Sequence, residues 1–382
     1  MRNPFTLGIV REKALCNRTQ EIQDLLRYAR NGENIVLFSP RRYGKSSLIT
    51  TVLELLEKER YLTVYVDLFP ISSQHDFVSR FSAGVFKGIG AGADPRSLGE
   101  KIATFFKRLV PSFEVKPDGY SLSVKFDKTA EVDLLLDDLL TGLNAYVTKK
   151  KMRACIALDE FQEITELPES KKIEGTLRSH IQFHKEIAYF YVGSRRRILN
   201  DMFLNKSRPF YKSAFSYVLK VISREDFGPH IQSRFRDTGK ICPPEVAVGL
   251  YDWVRGYPYY VQKLASIAWD MTTKRCTAEI TKDAYRLLLT MEAIDFEGIW
   301  MGLTLIQKSV LKAIAREPTP SPYGREFLER NRFSLGGTQR AIKTLLSRDL
   351  IERDLENRYR LTDPVMEGWL CEGEKVTGTF SP

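Results

Sequence analysis

Two short segments of the sequence carry residue types that could hold a triphosphate and a divalent metal ion. Residues 39–47 read S-P-R-R-Y-G-K-S-S and follow the apolar run 35–38. In a loop of this composition, backbone N–H groups bind the β-phosphate, the Lys45 ammonium reaches the β- and γ-oxygens, and the Ser46 hydroxyl binds Mg²⁺. The helix predicted over 45–58 directs its positive end toward the same anion. This segment therefore predicts a phosphate-binding loop.

The loop differs from the pattern G-x-x-x-x-G-K-[ST] at its first position, where Ser39 stands in place of glycine. Serine can still turn there if its φ angle stays negative, helped by the fixed φ of Pro40. The rest of the pattern is intact, and a chance G-K-S in a basic loop is the alternative interpretation. The loop residues expected to contact the nucleotide are Pro40, Arg41, Arg42, Tyr43, Gly44, Lys45, Ser46 and Ser47, with the last at the α-phosphate.

The second segment, residues 154–160, reads A-C-I-A-L-D-E. An apolar run that ends in two carboxylates predicts a buried parallel strand that delivers Asp159 and Glu160 at its C-terminal edge, where such sheets bind ligands. Asp159 is expected to hold Mg²⁺ through water, and Glu160 to orient and deprotonate the attacking water. The alternative is that the two carboxylates only cap the following helix.

A third apolar run, residues 188–192, ends in Gly193 and Ser194. If its strand lies beside the carboxylate strand, the Ser194 hydroxyl could contact the γ-phosphate or the attacking water. Ser194 is therefore a candidate sensor, although serine is equally common in a plain turn at a strand end.

Strands and helices must position these segments, and the apolar pattern predicts both. Helix 18–30, strand 34–38, helix 45–58 and strand 62–67 alternate, which is typical of a parallel sheet covered by helices. Further helices are predicted at 73–88, 96–107, 131–148 and 173–185, and a last strand at 218–222. Residues 113–126 alternate around Pro117-Asp118-Gly119, which predicts a hairpin inserted into this core at about 109–127.

The strand pattern stops at Ser223, and only helical periods follow for about seventy residues. Helices are predicted at 226–237, 244–254, 258–273 and 281–295. Such an array is typical of a helical lid that closes over a nucleotide and whose position depends on the nucleotide state.

The C-terminal part has the outline of a winged helix. Helices are predicted at 304–315, 323–330 and 337–348, followed by a hairpin at 350–354 and 358–361. If this domain binds duplex DNA, its third helix would enter the major groove. The residues presented there would be Thr338, Gln339, Arg340 and Lys343, with Arg358 on the wing at a phosphate. Winged helices also contact proteins or act as autoinhibitory clamps, so both roles stay open.

The formal charge of +10 is concentrated in one segment. Residues 171–224 hold twelve Lys or Arg against three Asp or Glu, a surplus of +9, whereas residues 325–360 have a surplus of +3. The basic segment could face a nucleotide on a neighbouring subunit, nucleic acid phosphates or an acidic partner. A solvated surface that only maintains solubility is the alternative.

Other features of the composition exclude several classes. No window approaches the roughly 18–20 apolar residues of a membrane span, and no signal peptide is recognisable, so a cytoplasmic location is expected. The five cysteines are scattered, which suggests neither a disulfide framework nor a zinc site but reduced packing residues. His180 and His184 lie four apart on a predicted helix and are interpreted as structural.

Four stretches carry a likeness to a known family. They are L-C-N-R-T-Q-E-I at 15–22, S-P-R-R-Y-G-K-S-S at 39–47, D-E-F-Q-E-I at 159–164 and G-Y-P-Y-Y-V-Q at 256–262. The chain resembles the archaeal-type ATPase family within the STAND and AAA+ P-loop ATPases, related to origin-recognition ATPases. This resemblance implies an α/β P-loop NTPase core with a parallel sheet, a helical lid and a C-terminal winged helix. The corresponding domains are 1–224, 225–295 and 296–382.

The resemblance also implies roles for residues outside the loop. Asn17 and Arg18 would contact the adenine side, and Gly256-Tyr257-Pro258 resembles the lid G-x-P motif, in which Pro258 packs near the base. Tyr257 replaces the histidine that is common in relatives. Residues 209–213 read P-F-Y-K-S where similar archaeal members read P-L-Y-G-R, so an arginine finger acting across an oligomer is missing there. Nearby candidates are Arg195, Arg196, Arg197 and Arg208.

The leading hypothesis is a slow, Mg²⁺-dependent ATPase that works as a conformational switch. ATP would lie between core and lid, and hydrolysis would change how the winged helix is displayed. The residues expected to act in catalysis are Lys45, Asp159, Glu160, Ser194 and Arg195, with Ser46 and Asp159 at the metal. The competing hypothesis is a DNA-binding regulator or loader with nucleotide as a structural ligand, and a small-molecule kinase is a third. A protein partner and a homo-oligomer stay open.

Overall fold

The structure is a computed structural model that describes residues 2–8, 16–90, 103–116, 119–354 and 356–377. The chain divides into two compact units. One unit spans Ile9–Lys220, and the other combines Met1–Gly8 with Val221–Pro382. The three-part division expected from the sequence stays a prediction.

The described residues form nine strands and fourteen α-helices. The strands are β1 Ile35–Phe38, β2 Leu62–Asp67, β3 Val110–Lys116, β4 Gly119–Lys125, β5 Ala154–Asp159, β6 Ile187–Gly193, β7 Phe215–Val218, β8 Ile351–Arg353 and β9 Tyr359–Leu361. The helices are α1 Thr19–Arg30, α2 Lys45–Lys58, α3 Gln74–Ile89, α4 Val132–Lys150, α5 Ser170–Ile181, α6 Arg196–Leu204, α7 Arg224–Arg236, α8 Pro244–Trp253, α9 Pro258–Met271, α10 Ala278–Met301, α11 Leu305–Arg316, α12 Arg325–Asn331, α13 Leu335–Ser347 and α14 Pro364–Thr377.

A five-stranded parallel sheet organises the first unit, in the order β2-β5-β6-β1-β7. The sheet brings the carboxyl ends of β1, β5 and β6 side by side, with Phe38 opposite Gly193 and Leu158 opposite Tyr191. Strands β5 and β6 are buried along their whole length, as their continuous apolar sequence predicts. The α/β fold with a parallel sheet is therefore confirmed.

Alternate residues of β1, β5 and β6 supply two apolar cores, one on each face of the sheet. Leu37 packs with residues of α1 and α2, whereas Val36 packs with residues of α3, α4 and α5. Helix α3 approaches β2 closely because it carries glycine at two facing positions. A Cβ atom at Gly88 would lie 2.7 Å from the Thr63 carbonyl oxygen, so a larger residue there would push the helix away from the strand.

The predicted hairpin is observed, since β3 and β4 pair antiparallel and lie between α3 and α4 in the chain, while its insertion into the core stays a prediction. The helix predicted at 96–107 lies partly outside the described residues. Pro117 and Asp118, at the predicted hairpin turn, also lie outside them. Of the described end of the predicted helix, residue 103 is helical and residues 104–105 form a turn. The Asp138 carboxylate accepts hydrogen bonds from the backbone N–H groups of Lys107 and Arg108, both at 2.9 Å, so these groups do not continue a helical ladder.

The last strand of the sheet is displaced from the sequence prediction. Strand β7 ends at Val218, where the predicted strand at 218–222 would begin. Its pairing with β1 stops because β1 itself ends at Phe38 and the chain turns away. Leu219 and Ile222 are buried as packing residues and not as strand residues. Helix α6 and a short 3₁₀ helix at Phe161–Glu166 were not predicted.

The described residues of the second unit form helices, one hairpin and isolated β-bridges. Helices α7 to α10 form the lid-like array, and α10 runs for 24 residues, longer than predicted. Helices α11 to α13 and the antiparallel pair β8–β9 form the winged helix, as predicted. Helix α14 was not predicted, and it packs onto α10 through Trp369, whose ring lies 5.9 Å from Phe296. No helix among the described residues is long and apolar enough to cross a membrane.

His184 should make the free energy of unfolding depend on pH. The ring is buried and hydrogen-bonded to the Tyr189 hydroxyl at 2.8 Å, and burial lowers its pKa from 6.5 to about 4. Between these values the unfolded chain binds a proton that folded His184 excludes, so stability is full above pH 6.5 and falls by up to about 3 kcal/mol as the pH is lowered.

The measurement is urea unfolding of the wild type and of His184→Gln at pH 7, 6 and 5. Glutamine keeps a hydrogen-bonding amide near Tyr189 but does not titrate, so the variant should lose less stability on acidification. Glu174, whose pKa burial raises to about 7, contributes with the opposite sign in both proteins and cancels in the comparison. Parallel pH profiles for the two proteins would contradict the assignment.

Candidate functional site at the carboxyl edge of the sheet

The loop between β1 and α2 has the backbone of an anion-binding turn. Arg42 and Gly44 have positive φ angles of 69° and 84°, and Lys45 begins α2 directly after them. Alternating backbone conformations of this kind aim successive N–H groups at one point, next to the positive helix end. Ser39 is not among the residues with positive φ, so serine is accommodated at the position where the sequence pattern has glycine.

The Lys45 side chain is buried beneath this loop. Its Nζ atom donates to the carbonyl oxygens of Ser39 and Pro40, each at 3.1 Å, and only 5% of the residue is exposed. Burial lowers the pKa of Lys45, and the nearby Glu160 and Asp159 carboxylates oppose this effect. The ammonium therefore lies beside both acidic residues and is held by two neutral oxygens that a phosphate could replace.

The two segments singled out in the sequence meet at one carboxylate oxygen. Ser46 Oγ donates to Asp159 Oδ2 at 2.7 Å. Burial raises the pKa of Asp159, and hydrogen bonds from Tyr65 and Ser46 counteract this rise. A serine hydroxyl and a carboxylate are hard oxygen donors of the type that Mg²⁺ prefers, so this pair fits such an ion.

Sequence reasoning missed Tyr65, which contacts the same oxygen. The Tyr65 hydroxyl donates to Asp159 Oδ2 at 2.6 Å, from strand β2 beside β5. Burial, together with the charge of Asp159, raises the pKa of Tyr65, so the phenol remains a hydrogen-bond donor. The only sequence signal is a tyrosine within a strand, and the adjacency of β2 to β5 is what makes it informative.

Glu160 lies at the end of β5 with a positive φ of 51°, which directs its carboxylate toward β6. Glu160 Oε2 accepts hydrogen bonds from the Ser194 hydroxyl at 2.8 Å, the Ser194 N–H at 3.3 Å and Gln162 Nε2 at 2.5 Å. Gln162 is fully buried and was missed by sequence reasoning. Gly193 leaves room for it, since a Cβ there would lie 2.0 Å from Gln162 Oε1.

The arginines near Ser194 differ in how they are held. Arg195 is partly exposed and pairs with Glu166 at 3.3 Å and Glu163 at 3.7 Å. Arg196 lies over the Phe38 ring, 5.2 Å from its centre. Arg208 is largely buried against Glu174 at 2.5 Å, so this guanidinium is engaged within its own chain and is not presented to a neighbour.

Residues implied by the family resemblance take varied positions. Arg18 is buried, and its guanidinium donates to the carbonyl oxygens of Lys220 at 2.8 Å and Tyr43 at 3.3 Å. Arg18 thus stabilises the phosphate-binding loop through its hydrogen bond to the Tyr43 carbonyl. Asn17 is exposed and accepts a hydrogen bond from the Thr19 hydroxyl. Pro258 is a buried residue at the first position of α9 in the second unit.

The remaining loop residues lie nearer the solvent. Arg41 and Arg42 are exposed, with Arg41 over the Phe69 ring at 5.6 Å. Pro40, Tyr43, Gly44 and Ser46 are half-buried, and Ser47 is buried.

On the winged helix, Gln339, Arg340 and Lys343 are exposed on α13. Thr338 is not presented as predicted. It is fully buried, and its hydroxyl bonds to the Ser334 carbonyl at 2.9 Å, because its position faces the packed side of the helix. Arg358 pairs with Asp354 and Glu356, each at 3.0 Å, so much of its charge is neutralised on the wing.

Comparisons with known proteins agree with this architecture. Residues 15–225 match a family described as an ATPase domain predominantly from Archaea, and residues 294–372 match a probable winged helix domain. A comparison with curated proteins gave no match.

Two solved proteins have similar folds. A Walker-type ATPase of Pyrococcus abyssi has a TM-score of 0.67 at 15% identity, covering 94% of this chain and 97% of that chain. The Aeropyrum pernix ORC2 protein, in its ADPNP-ADP complexes, has a TM-score of 0.57 at 15% identity, covering 96% of each chain. At these identities the likeness shows a shared fold.

Proposed function

The chain belongs to the family of ATPase domains found predominantly in Archaea, and from that premise we propose that it binds Mg²⁺-ATP at the carboxyl edge of its sheet and hydrolyses it. The observation that carries this proposal is the 2.7 Å contact of Ser46 Oγ with Asp159 Oδ2. It joins the phosphate-binding loop to the acidic strand end, and these two oxygens would hold a Mg²⁺ ion that accompanies the nucleotide.

Each side chain has a distinct part in the proposed reaction. The N–H groups of residues 40–47 bind the phosphates, and Lys45 leaves the two loop carbonyls to pair with β- and γ-oxygens. Ser46 and Asp159 would hold Mg²⁺, which would supply positive charge to neutralise the phosphates. Glu160 accepts a proton from the attacking water and aligns that water in line with the leaving group.

We propose that turnover is slow because Glu160 is already engaged. Its Oε2 atom accepts hydrogen bonds from Ser194 and Gln162, and these contacts must loosen before that oxygen can accept a proton from water. We propose that Ser194 contacts the γ-phosphate and thereby loosens its own hydrogen bond to Glu160. Arg195, partly exposed beside the same edge, is the proposed arginine for completing a neighbouring site in an oligomer.

The switch part of the proposal rests on a polar clasp within the second unit, between the lid-like helices and the winged helix. Tyr257 donates to the Thr362 carbonyl, Tyr260 to Asp363 at 2.6 Å, and Arg255 to the Leu361 carbonyl at 2.9 Å. The clasp starts at the segment that resembles the lid G-x-P motif. Through this clasp, the lid and the winged helix respond to the nucleotide state together. The proposed domains are the core at 1–224, the lid at 225–295 and the winged helix at 296–382.

Turnover of ATP by the purified full chain tests the proposed function. Hydrolysis should require Mg²⁺ and cease in a chelator, and light scattering in ATP and ADP should report any change of assembly. Parallel reactions with duplex DNA distinguish a DNA-stimulated enzyme from an independent switch. Absence of both ATP binding and turnover would refute the proposal.

Tyr65→Phe should raise the Mg²⁺ concentration that turnover requires, without removing ATP binding. The substitution deletes the hydroxyl that orients Asp159, and loss of such supporting contacts typically weakens metal binding about 10-fold or more. The measurement is the Mg²⁺ concentration for half-maximal turnover. Tyr61→Phe is the matched control, since Tyr61 precedes β2 and contacts Arg153 instead of Asp159. Equal Mg²⁺ curves for the wild type and Tyr65→Phe would contradict a role for this hydroxyl.

A second candidate function, duplex DNA binding, is favoured by the exposed face of Gln339, Arg340 and Lys343 on α13. Replacing Arg340 and Lys343 by Ala should weaken DNA binding and lower the slope of log affinity against log salt by about 0.9 for each lost phosphate contact. Arg330→Ala on α12 is the control, because Arg330 already pairs with Glu317 and Glu326. No binding by the wild type at low salt would eliminate this candidate.

A further inference from the structure

Two cysteines that are far apart in the sequence come together at one end of the lid-like array. Cys242 lies just before α8 and Cys276 just before α10, so each belongs to a connection between helices. Their separation of 34 positions gives no recognisable motif, and the sequence suggested only reduced packing residues. Both thiols are free in the structure.

The backbone holds these two connections at strand spacing. Ile241 and Arg275 form an isolated parallel β-bridge, in which Ile241 N–H donates to the Lys274 carbonyl at 2.9 Å and Cys276 N–H donates to the Ile241 carbonyl at 2.8 Å. Parallel neighbours lie about 4.8 Å apart, and the next residues in register are Cys242 and Cys276. That separation is within the Cα range of about 4.4–6.8 Å that a disulfide accepts.

The two side chains lie in a buried environment. Cys242 and Cys276 are only 6% and 1% exposed, and their thiols donate to the backbone carbonyl oxygens of Pro243 at 3.8 Å and Thr277 at 4.0 Å. The neighbouring Cys242 thiol lowers the pKa of the Cys276 thiol, and the hydroxyls of Thr272 and Thr281 lower it further. The thiolate of the pair is thus favoured at Cys276, next to a second sulfur that can resolve an oxidised intermediate.

We propose that Cys242 and Cys276 form a peroxide-sensitive dithiol that closes to a disulfide across the helical array. The Cys276 thiolate attacks one oxygen of hydrogen peroxide and releases hydroxide, leaving a sulfenic acid. The Cys242 sulfur then attacks that sulfur and displaces the oxygen as water. Both thiol protons end in water, so two thiols and one peroxide yield one disulfide and two waters.

Closing this bond would link the connection before α8 to the connection before α10. The cross-link restricts the unfolded chain over the intervening residues, so oxidation raises the midpoint of thermal unfolding by about 5–10 °C. The clasp residues Arg255, Tyr257 and Tyr260 lie between the two cysteines in the chain, so the oxidised form is a more rigid second unit.

Thiol mapping of the full chain tests the site. Reduced protein is treated with stepwise hydrogen peroxide, unfolded, alkylated and digested, and each of the five cysteines is followed by mass. The expected first product is a peptide pair joined through Cys242 and Cys276, reversible by a thiol reductant. Cys155 is the internal control, since it is equally buried, lies within β5 of the other unit, and has a pKa raised by burial.

The variants Cys242→Ser and Cys276→Ser should each abolish the joined peptide pair and the rise in unfolding temperature. The wild-type map stands independently of whether these variants fold. The proposal is overturned if Cys16, Cys155 or Cys371 oxidises first, or if Cys276 accumulates sulfinic acid while Cys242 remains an alkylatable thiol.

Discussion

Glu160→Gln should lower ATP turnover by about 10²–10⁴-fold while ATP binding is retained, because a positioned general base contributes a factor of this size. Glutamine has nearly the same shape, and its amide oxygen can still accept the hydrogen bond that the Ser194 hydroxyl donates at 2.8 Å in the wild type. The variant therefore keeps the local packing and loses only the ability to accept a proton. Single-turnover hydrolysis, with nucleotide binding measured separately, distinguishes the two effects.

Glu166→Gln is the matched control for this substitution. Glu166 lies on the same 3₁₀ helix that follows Glu160, but it is exposed and pairs with Arg195 at 3.3 Å. An exposed ion pair contributes little, so this variant should hydrolyse ATP almost as fast as the wild type. If Glu160→Gln turned over ATP at the wild-type rate, Glu160 would not be the base.

Lys45→Ala should weaken ATP binding by about 100-fold or more. Hydrogen bonds to charged groups contribute about 1.5–3 kcal/mol each, and the proposed ammonium contacts reach two phosphate oxygens. Isothermal calorimetry or fluorescence with a labelled ATP analogue measures the loss.

The same substitution should not unfold the protein. Burial lowers the pKa of Lys45, which means that the folded state carries a desolvation cost for this charge, and alanine removes it. The thermal midpoint without nucleotide should be unchanged or higher, whereas stabilisation by ATP should disappear. Lys58→Ala, at the exposed end of the same helix, should behave as the wild type in both measurements. ATP stabilisation that persisted in Lys45→Ala would refute the assigned contact.

The elements that were predictable from the sequence are those whose signals are local. Strand β2 and helix α2 match their predicted bounds, because an apolar run between turn residues and a helical period are read within a few residues. The meeting of Ser46 with Asp159 was also predictable, since parallel strands present their carboxyl ends at one edge. The family resemblance and the fold class followed from these segments, and the comparisons confirm both.

Two predictions, the strand at 218–222 and the exposure of Thr338, were wrong because an apolar or polar residue type does not by itself fix strand pairing or burial. The apolar run at 218–222 predicts a strand, but the pairing with β1 ends with a hydrogen bond from the Leu219 N–H to the Phe38 carbonyl, and Leu219 and Ile222 are buried by packing. Thr338 has a polar side chain on a predicted recognition helix, yet its rotation about the helix axis places it in the core. Sequence periodicity defines the buried face of a helix only approximately, and a shift of one position can turn a residue expected to be exposed into a buried one.

The sequence by itself determined which residue types stand at the spacing of a triphosphate-binding loop and an acidic strand end, because such patterns depend on residue type at short spacing. Tertiary structure alone decided which distant groups reach them. Strand order places the Tyr65 hydroxyl within hydrogen-bond distance of Asp159, and packing brings the Arg18 guanidinium to the Tyr43 carbonyl. An isolated β-bridge between Ile241 and Arg275 places Cys242 and Cys276 at neighbouring positions. The physical reason is that such contacts depend on how separate elements pack, which no local pattern of residues records.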